Sequence, residues 1–92
     1  MTRLNFESMS IPMGVRGKER KTGDARESFA DVIYNTVSGI KAHRLAFKIY
    51  ESEGMTDYSD EEVSLIKATA EKYCTPNFID GLREQIEQNT NS

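Results

Sequence analysis

The chain has one cysteine, one histidine, two prolines and no tryptophan among its 92 residues, and each scarcity closes off a class of chemistry. The lone Cys74 cannot close an internal disulfide, which fits a reducing compartment, and a cytoplasmic location is the expectation. One histidine and one cysteine fall short of a structural zinc set. His43 and Cys74 lie far apart in sequence with no nucleophile signature around either, so a Cys–His pair would depend wholly on folding. No apolar run approaches the roughly 18 residues that a bilayer span requires, and the N-terminus lacks the apolar segment of a signal peptide, so no membrane association is expected. A phosphate loop is also missing: Gly14 and Gly17, with lysines nearby, have neither the Walker spacing nor the strand-to-helix setting. The expectation is a protein with no catalytic, cofactor-binding or metal-ligating residues, and no enzyme activity.

What remains is an ordinary polar composition, 37% hydrophobic and 29% charged, long enough for one domain with a modest core. Its organising stretch lies around Ser38 and Gly39. After the helix start at Asp24, Phe29, Val32, Ile33, Val37 and Ile40 recur at helical spacing. Past Gly39, Ala42, Leu45, Ala46, Ile49 and Tyr50 do the same. At about 100° per residue the second stripe points to the side opposite the first. One straight helix would need burial on opposite sides in its two halves. A turn at Gly39, where a helix interior would cost roughly 1 kcal/mol relative to alanine, lets both stripes face one core. The pattern predicts helices over 25–37 and 41–52, the first opened by an Asp24 cap with Glu27 three residues on. The alternative is one long helix with different partners at its two ends.

Downstream, Gly54 is placed to end the second helix. Ser59 and Glu62 then form a capping-box pattern, and three acids suit the positive end of the helix dipole. Val63, Ile66, Ala70 and Tyr73 form the third apolar stripe, with Cys74 on the same face as a small buried side chain. Thr75 and Pro76 start a last helix carrying Phe78, Ile79, Leu82 and Ile86. Upstream, residues 1–23 have the period of strands. Leu4 and Phe6 alternate with Arg3, Asn5 and Glu7. Ile11, Met13 and Val15 alternate with Pro12, Gly14 and Arg16, and residues 7–10 could hold the turn between the two stretches. Pro12 confines its strand to an edge. Residues 17–23 read as an exposed basic loop, into which the hairpin could also lengthen. The domain is expected to run over 1–88: hairpin 1–16, basic loop 17–23, helical part 24–88. Residues 89–92 are expected to be a frayed tail.

Charge is uneven along the chain. Residues 1–48 carry nine Lys/Arg against five Asp/Glu, or +4, and residues 49–92 carry three against ten, or −7, which gives the overall −3. Such a distribution suits head-to-tail or self-complementary association, or else simply solvates separate faces. The acidic stretch 51–62 places Glu62 at the twelfth position of a calcium loop. Met55, however, falls at a ligand position, and glycine stands fourth instead of sixth. A helix-turn-helix would set Asp60, Glu61 and Glu62 against phosphates, and like-charge repulsion opposes that.

The run Arg44-Leu45-Ala46, Lys48-Ile49-Tyr50, the acidic start Ser59 to Glu62, Leu65-Ile66-Lys67, and Tyr73 three residues before Pro76 together resemble a group of small phage and prophage proteins. These combine an N-terminal β segment with several short helices. The similarity spans roughly residues 24–88 and consists of core and capping positions, which specify no chemistry. It implies a mobile-element setting and adds no site residues.

These patterns lead to an α+β fold, an N-terminal β-hairpin packed on a small bundle of three to four short helices. The function expected is a non-enzymatic protein-interaction or assembly module with a protein partner. Leu4, Phe6, Ile11, Met13 and Val15 of the hairpin form the candidate interface, for a homodimer in the simplest case. The alternative is nucleic-acid binding through Arg16, Lys18, Arg20, Lys21 and Arg26. No aromatics interleave with these cations, so base stacking is not indicated.

Overall fold

The computed structural model describes residues 1–89. In chain order it contains β1 (Thr2–Leu4), β2 (Met9–Pro12), β3 (Arg20–Gly23), α1 (Arg26–Thr36), α2 (Ile40–Glu51), β4 (Thr56–Tyr58), α3 (Asp60–Tyr73) and α4 (Pro76–Asn89). The fold is α+β: four helices with two small antiparallel sheets, one of them an N-terminal hairpin. The chain does turn at Gly39, whose φ of 109° lies where only glycine is at ease. The turn folds α2 back on α1, so that Phe29, Ala30 and Ile33 share the core with Ala42, Leu45, Ala46 and Ile49. Tyr50 and Ile40, assigned to the same stripes by spacing, are exposed at the margins.

The strands pair differently from the order predicted. β2 pairs with β3, Met9 opposite Gly23 and Pro12 opposite Arg20, so the hairpin encloses residues 13–19 and the basic segment 20–23 is itself a strand. β1 pairs instead with β4, Thr2 opposite Tyr58 and Leu4 opposite Thr56. Residues 5–8 form the link between the two sheets. Asn5 exchanges backbone hydrogen bonds with the side chain of Gln85 on α4, donating to Oε1 at 2.5 Å and accepting from Nε2 at 3.3 Å. Period-two alternation fixes which face of a strand is apolar and says nothing about its neighbour.

Phe6 is the hinge of the core. Its ring stacks on Phe29 of α1 at 5.3 Å and meets Tyr58 of β4 edge-on at 5.8 Å, while Phe29 stacks on Phe78 of α4 at 5.4 Å. These stacked and edge contacts join the link and β4 to the first and last helices. Leu4 and Phe6 are therefore fully enclosed, at 0% exposure, and unavailable as an interface.

α4 lies across β2, and Gly81 permits the approach: a Cβ there would sit 2.7 Å from Ser10 O. At the opening of α1 the Asp24 carboxylate accepts from the Arg26 N–H (2.9 Å), but Ala25 occupies the cap position and Glu27 takes no part. At α3 the capping box forms as predicted. Ser59 Oγ accepts from Glu62 N, and Glu62 Oε1 accepts from Ser59 N at 2.8 Å. Gly54 adopts a positive φ and donates its N–H to Glu7 Oε1, while Ser52 caps α2. Tyr73, predicted to be buried, is exposed, and Cys74 is half-buried at the end of α3. Of the tail 89–92, Asn89 closes α4 and residues 90–92 lie outside the described residues.

Candidate functional site

The cations proposed from sequence separate into two groups. Arg20 donates to Ser10 Oγ at 2.7 Å and to Glu84 Oε2 at 2.5 Å, which ties β3 to α4. Arg26 bonds Asp24 and the Ser52 carbonyl and lies 3.5 Å from Glu7, and its guanidinium holds the Asp24 carboxyl below the usual range. Both are occupied by structural contacts. Arg16, Lys18 and Lys21 remain exposed, without ion-pair partners among the described residues. Folding also cancels much of the charge asymmetry. Among the described residues, four of six ion pairs join a cation of the first half to an acid of the second: Arg3–Asp57, Arg20–Glu84, Lys41–Glu61 and Lys48–Glu62.

Of the candidate interface, Ile11 is partly buried against the core, whereas Met13 and Val15 are exposed at the hairpin end. There Met13 N–H donates to Glu19 O at 2.7 Å and Gly17 N–H to Gly14 O at 3.0 Å. The second bond closes a β-turn with Val15 and Arg16 at its two corners.

Cys74 and His43 do not meet. Cys74 lines a shallow cleft with Phe29, Val32 and Phe78, and burial raises its thiol pKa, which lowers the thiolate fraction. His43 is on α2, its ring 5.6 Å from Tyr34 and 5.0 Å from Phe47. Glu62, the would-be last ligand of a calcium loop, is engaged by Ser59 and by Lys48 Nζ at 2.9 Å. Among the described residues no three His, Cys, Asp or Glu side chains are grouped to hold a metal. Among the described residues no helix is long and apolar enough to cross a membrane.

The most distinctive surface lies on the α1–α2 pair. Glu27, Asp31 and Tyr34 follow one another at i, i+4, i+7 on α1, and His43, Phe47 and Tyr50 do so on α2, which puts each set in one row along its helix. Because the chain reverses at Gly39, the rows run side by side in opposite directions. Between them is an open cleft of about 280 Å³, floored by Ala30 and Ala46 and walled by Tyr34, Phe47, Tyr50, Glu27 and Asp31. Tyr34, Phe47 and Tyr50 are 56%, 46% and 54% exposed, although Tyr34 and Phe47 meet edge-on at 6.0 Å. The short side chains of the floor keep the cleft open. Neither Glu27 nor Asp31 has an ion-pair partner among the described residues. At this size the cleft admits a single side chain, since small-molecule sites run from about 300 to 1,000 Å³ and are largely closed.

Sequence reasoning missed this surface. Tyr34 and Phe47 fall outside both apolar stripes, and large aromatics on otherwise polar helix faces were the available signal. A second, wider groove of about 780 Å³ between α2 and α3 has Ala42, Leu45, Leu65 and Ala68 among its lining residues. Four of its rim charges are paired, Lys41 with Glu61 and Lys48 with Glu62, and Arg44 lines it as well.

Comparison with known protein families, curated proteins and solved structures finds no match for this chain.

Proposed function

We propose that this protein is a non-enzymatic interaction module, an accessory protein of a phage or integrated element, that docks a protein partner on the α1–α2 face. The observation behind this reading is the convergence of Tyr34, Phe47 and Tyr50, each about half exposed, on a cleft that the fold itself leaves unfilled. Aromatic side chains concentrate binding energy at protein interfaces, and a monomer gains nothing by leaving three of them in water. The apolar residues of the N-terminal segment support docking less well, because Leu4 and Phe6 serve the core. A photo-crosslinking amino acid at Phe47, compared with one at exposed Lys67 on α3, tests the face in the native host. A protein captured from position 47, absent at 67 and lost on Tyr34→Ala, is the expected result. Equal capture at both positions, or none at 47, overturns it.

Nucleic-acid binding is the second reading, and the three free cations Arg16, Lys18 and Lys21 on one hairpin favour it. Three phosphate contacts would give a log–log salt slope of only about −3. The reading requires binding that weakens along such a slope and disappears when all three are changed to Ala.

A further inference from the structure

The hairpin turn and the α1–α2 cleft are chemical complements. At the turn, Val15 is fully exposed and Arg16 stands beside it, with Lys18 two residues on. The Gly17 N–H to Gly14 O bond fixes the turn that presents them. The cleft offers the faces of Tyr34, Phe47 and Tyr50 together with two unpaired carboxylates, Glu27 and Asp31. A guanidinium stacks on aromatic faces while bonding carboxylates in its plane, and an aliphatic neighbour fits against the same rings. Within one chain the two do not meet, since Val15 is in full contact with solvent.

We infer that the occupant of the cleft is the hairpin turn of a second copy of this chain, with Arg16 between the rings and the Glu27 and Asp31 carboxylates. This identification of the partner rests on the docking-face reading above. The contact is heterologous, turn to cleft, so a pair of copies joined by it still presents one free cleft and one free turn, on opposite members. Assembly therefore proceeds to rings or open chains. Only a few side chains take part and all are solvent-exposed, which sets the affinity at about the micromolar to millimolar level and makes it sensitive to salt.

Charge exchange tests it with the full chain. Sedimentation equilibrium at low salt is expected to show a mean mass that rises with concentration up to the millimolar range and falls back on adding salt. Arg16→Glu with Lys18→Glu gives an acidic turn facing an acidic cleft. Glu27→Lys with Asp31→Lys gives a basic turn facing a basic cleft. Each double variant alone is expected to stay monomeric with an unchanged circular dichroism spectrum. Mixed in equal amounts, both contacts become complementary in charge, one of them setting the wild-type Arg16 turn on the wild-type cleft, and association should rise well above that of either variant alone. A wild-type chain that remains monomeric throughout, association indifferent to these exchanges, or a mixture that fails to assemble overturns the inference. So does a wild-type chain whose mean mass changes only when an added DNA or RNA oligonucleotide binds it. The two readings fail separately, because a monomeric chain that still crosslinks a different protein from Phe47 loses the self-docking and keeps the face.

Discussion

Two residues show how one atom decides the sign of a substitution. Alanine for glycine within a helix ordinarily stabilises by about 1 kcal/mol. At Gly81 the added methyl would lie 2.7 Å from the Ser10 carbonyl and 3.4 Å from Ile11 Cα, both backbone atoms that cannot swing away. Gly81→Ala is expected to destabilise by about 1–3 kcal/mol through overpacking, read as a lower urea midpoint with little change in slope. An unchanged or higher midpoint would mean that α4 does not lie this close to β2. Tyr58 presents the opposite case, a group that the fold tolerates instead of using. Its hydroxyl is buried without a hydrogen-bond partner among the described residues. The nearby Ser52 hydroxyl falls short of bonding geometry and gives its own proton to Ile49 O at 2.7 Å. Burial pushes the Tyr58 pKa up from 10.0 to about 12; the Ser52 hydroxyl opposes the shift in part, and the Glu62 charge adds to it. The folded state then holds this proton more tightly than the unfolded chain does. Its contribution is complete below pH 10 and is lost as pH rises towards 12, with a slope of about 1.4 kcal/mol per pH unit for one proton. Tyr58→Phe should match or exceed wild-type stability at neutral pH and lose less of it across that alkaline interval. Chemical denaturation of both proteins from neutral to alkaline pH measures the difference, and parallel curves would contradict it.

Among the elements, α3 is the one whose start depends most on side chains. Ser59 and Glu62 satisfy each other's N–H groups, and Lys48 reaches Glu62 from α2 while its ammonium also lies 4.7 Å from the Tyr58 ring centroid. Ser59→Ala is expected to cost about 0.5–2 kcal/mol. Burial by itself would raise the Glu62 pKa, but the Ser59 N–H, the Lys48 ammonium and the Ser59 hydroxyl together hold it below 4.5. The resulting stabilisation is present above the ordinary carboxylate value and lost as pH falls through the lower folded one. Glu62→Gln should therefore flatten the acid limb of the stability curve as pH falls below the ordinary carboxylate value. An equally steep limb in the variant would remove Glu62 from the account. This cap was legible in the sequence because all its parts lie within four residues. The α1–α2 turn was legible too, since a reversal of the apolar side can be counted from 29 to 50. Strand pairing was not. β1 finds its partner at residues 56–58, after two helices, and three-residue strands carry too little pattern to declare a distant neighbour. The cleft escaped for a related reason: Tyr34 and Phe47 meet only after the turn, and Tyr50 belongs by spacing both to the buried stripe and to the surface row.

For the whole molecule, the question is whether the N-terminal segment is an attachment on a helical bundle or part of its centre. Phe6 touches the rings of Phe29 and Tyr58, and its carbonyl accepts the Ala25 N–H at 2.8 Å. Residues 5 and 9 meet Gln85 on the last helix, and Arg20 on β3 meets Glu84 there. Contacts from the N-terminal segment thus reach α1, β4 and α4, with the cross-half ion pairs binding the surface in the same sense. In such an arrangement the helices share one core with Leu4, Phe6, Met9 and Tyr58. Phe6→Ala is expected to cost about 3–5 kcal/mol, the range for emptying a buried aromatic site. That is a large share of the about 5–15 kcal/mol that holds a small domain together. Helical circular dichroism and tyrosine fluorescence should consequently be lost in one coincident transition, shifted far to lower denaturant in the variant. A hairpin serving as an interface would instead leave the monomer's midpoint untouched by Phe6→Ala and change only its association. Two separated transitions would place the helices in an independent folding unit.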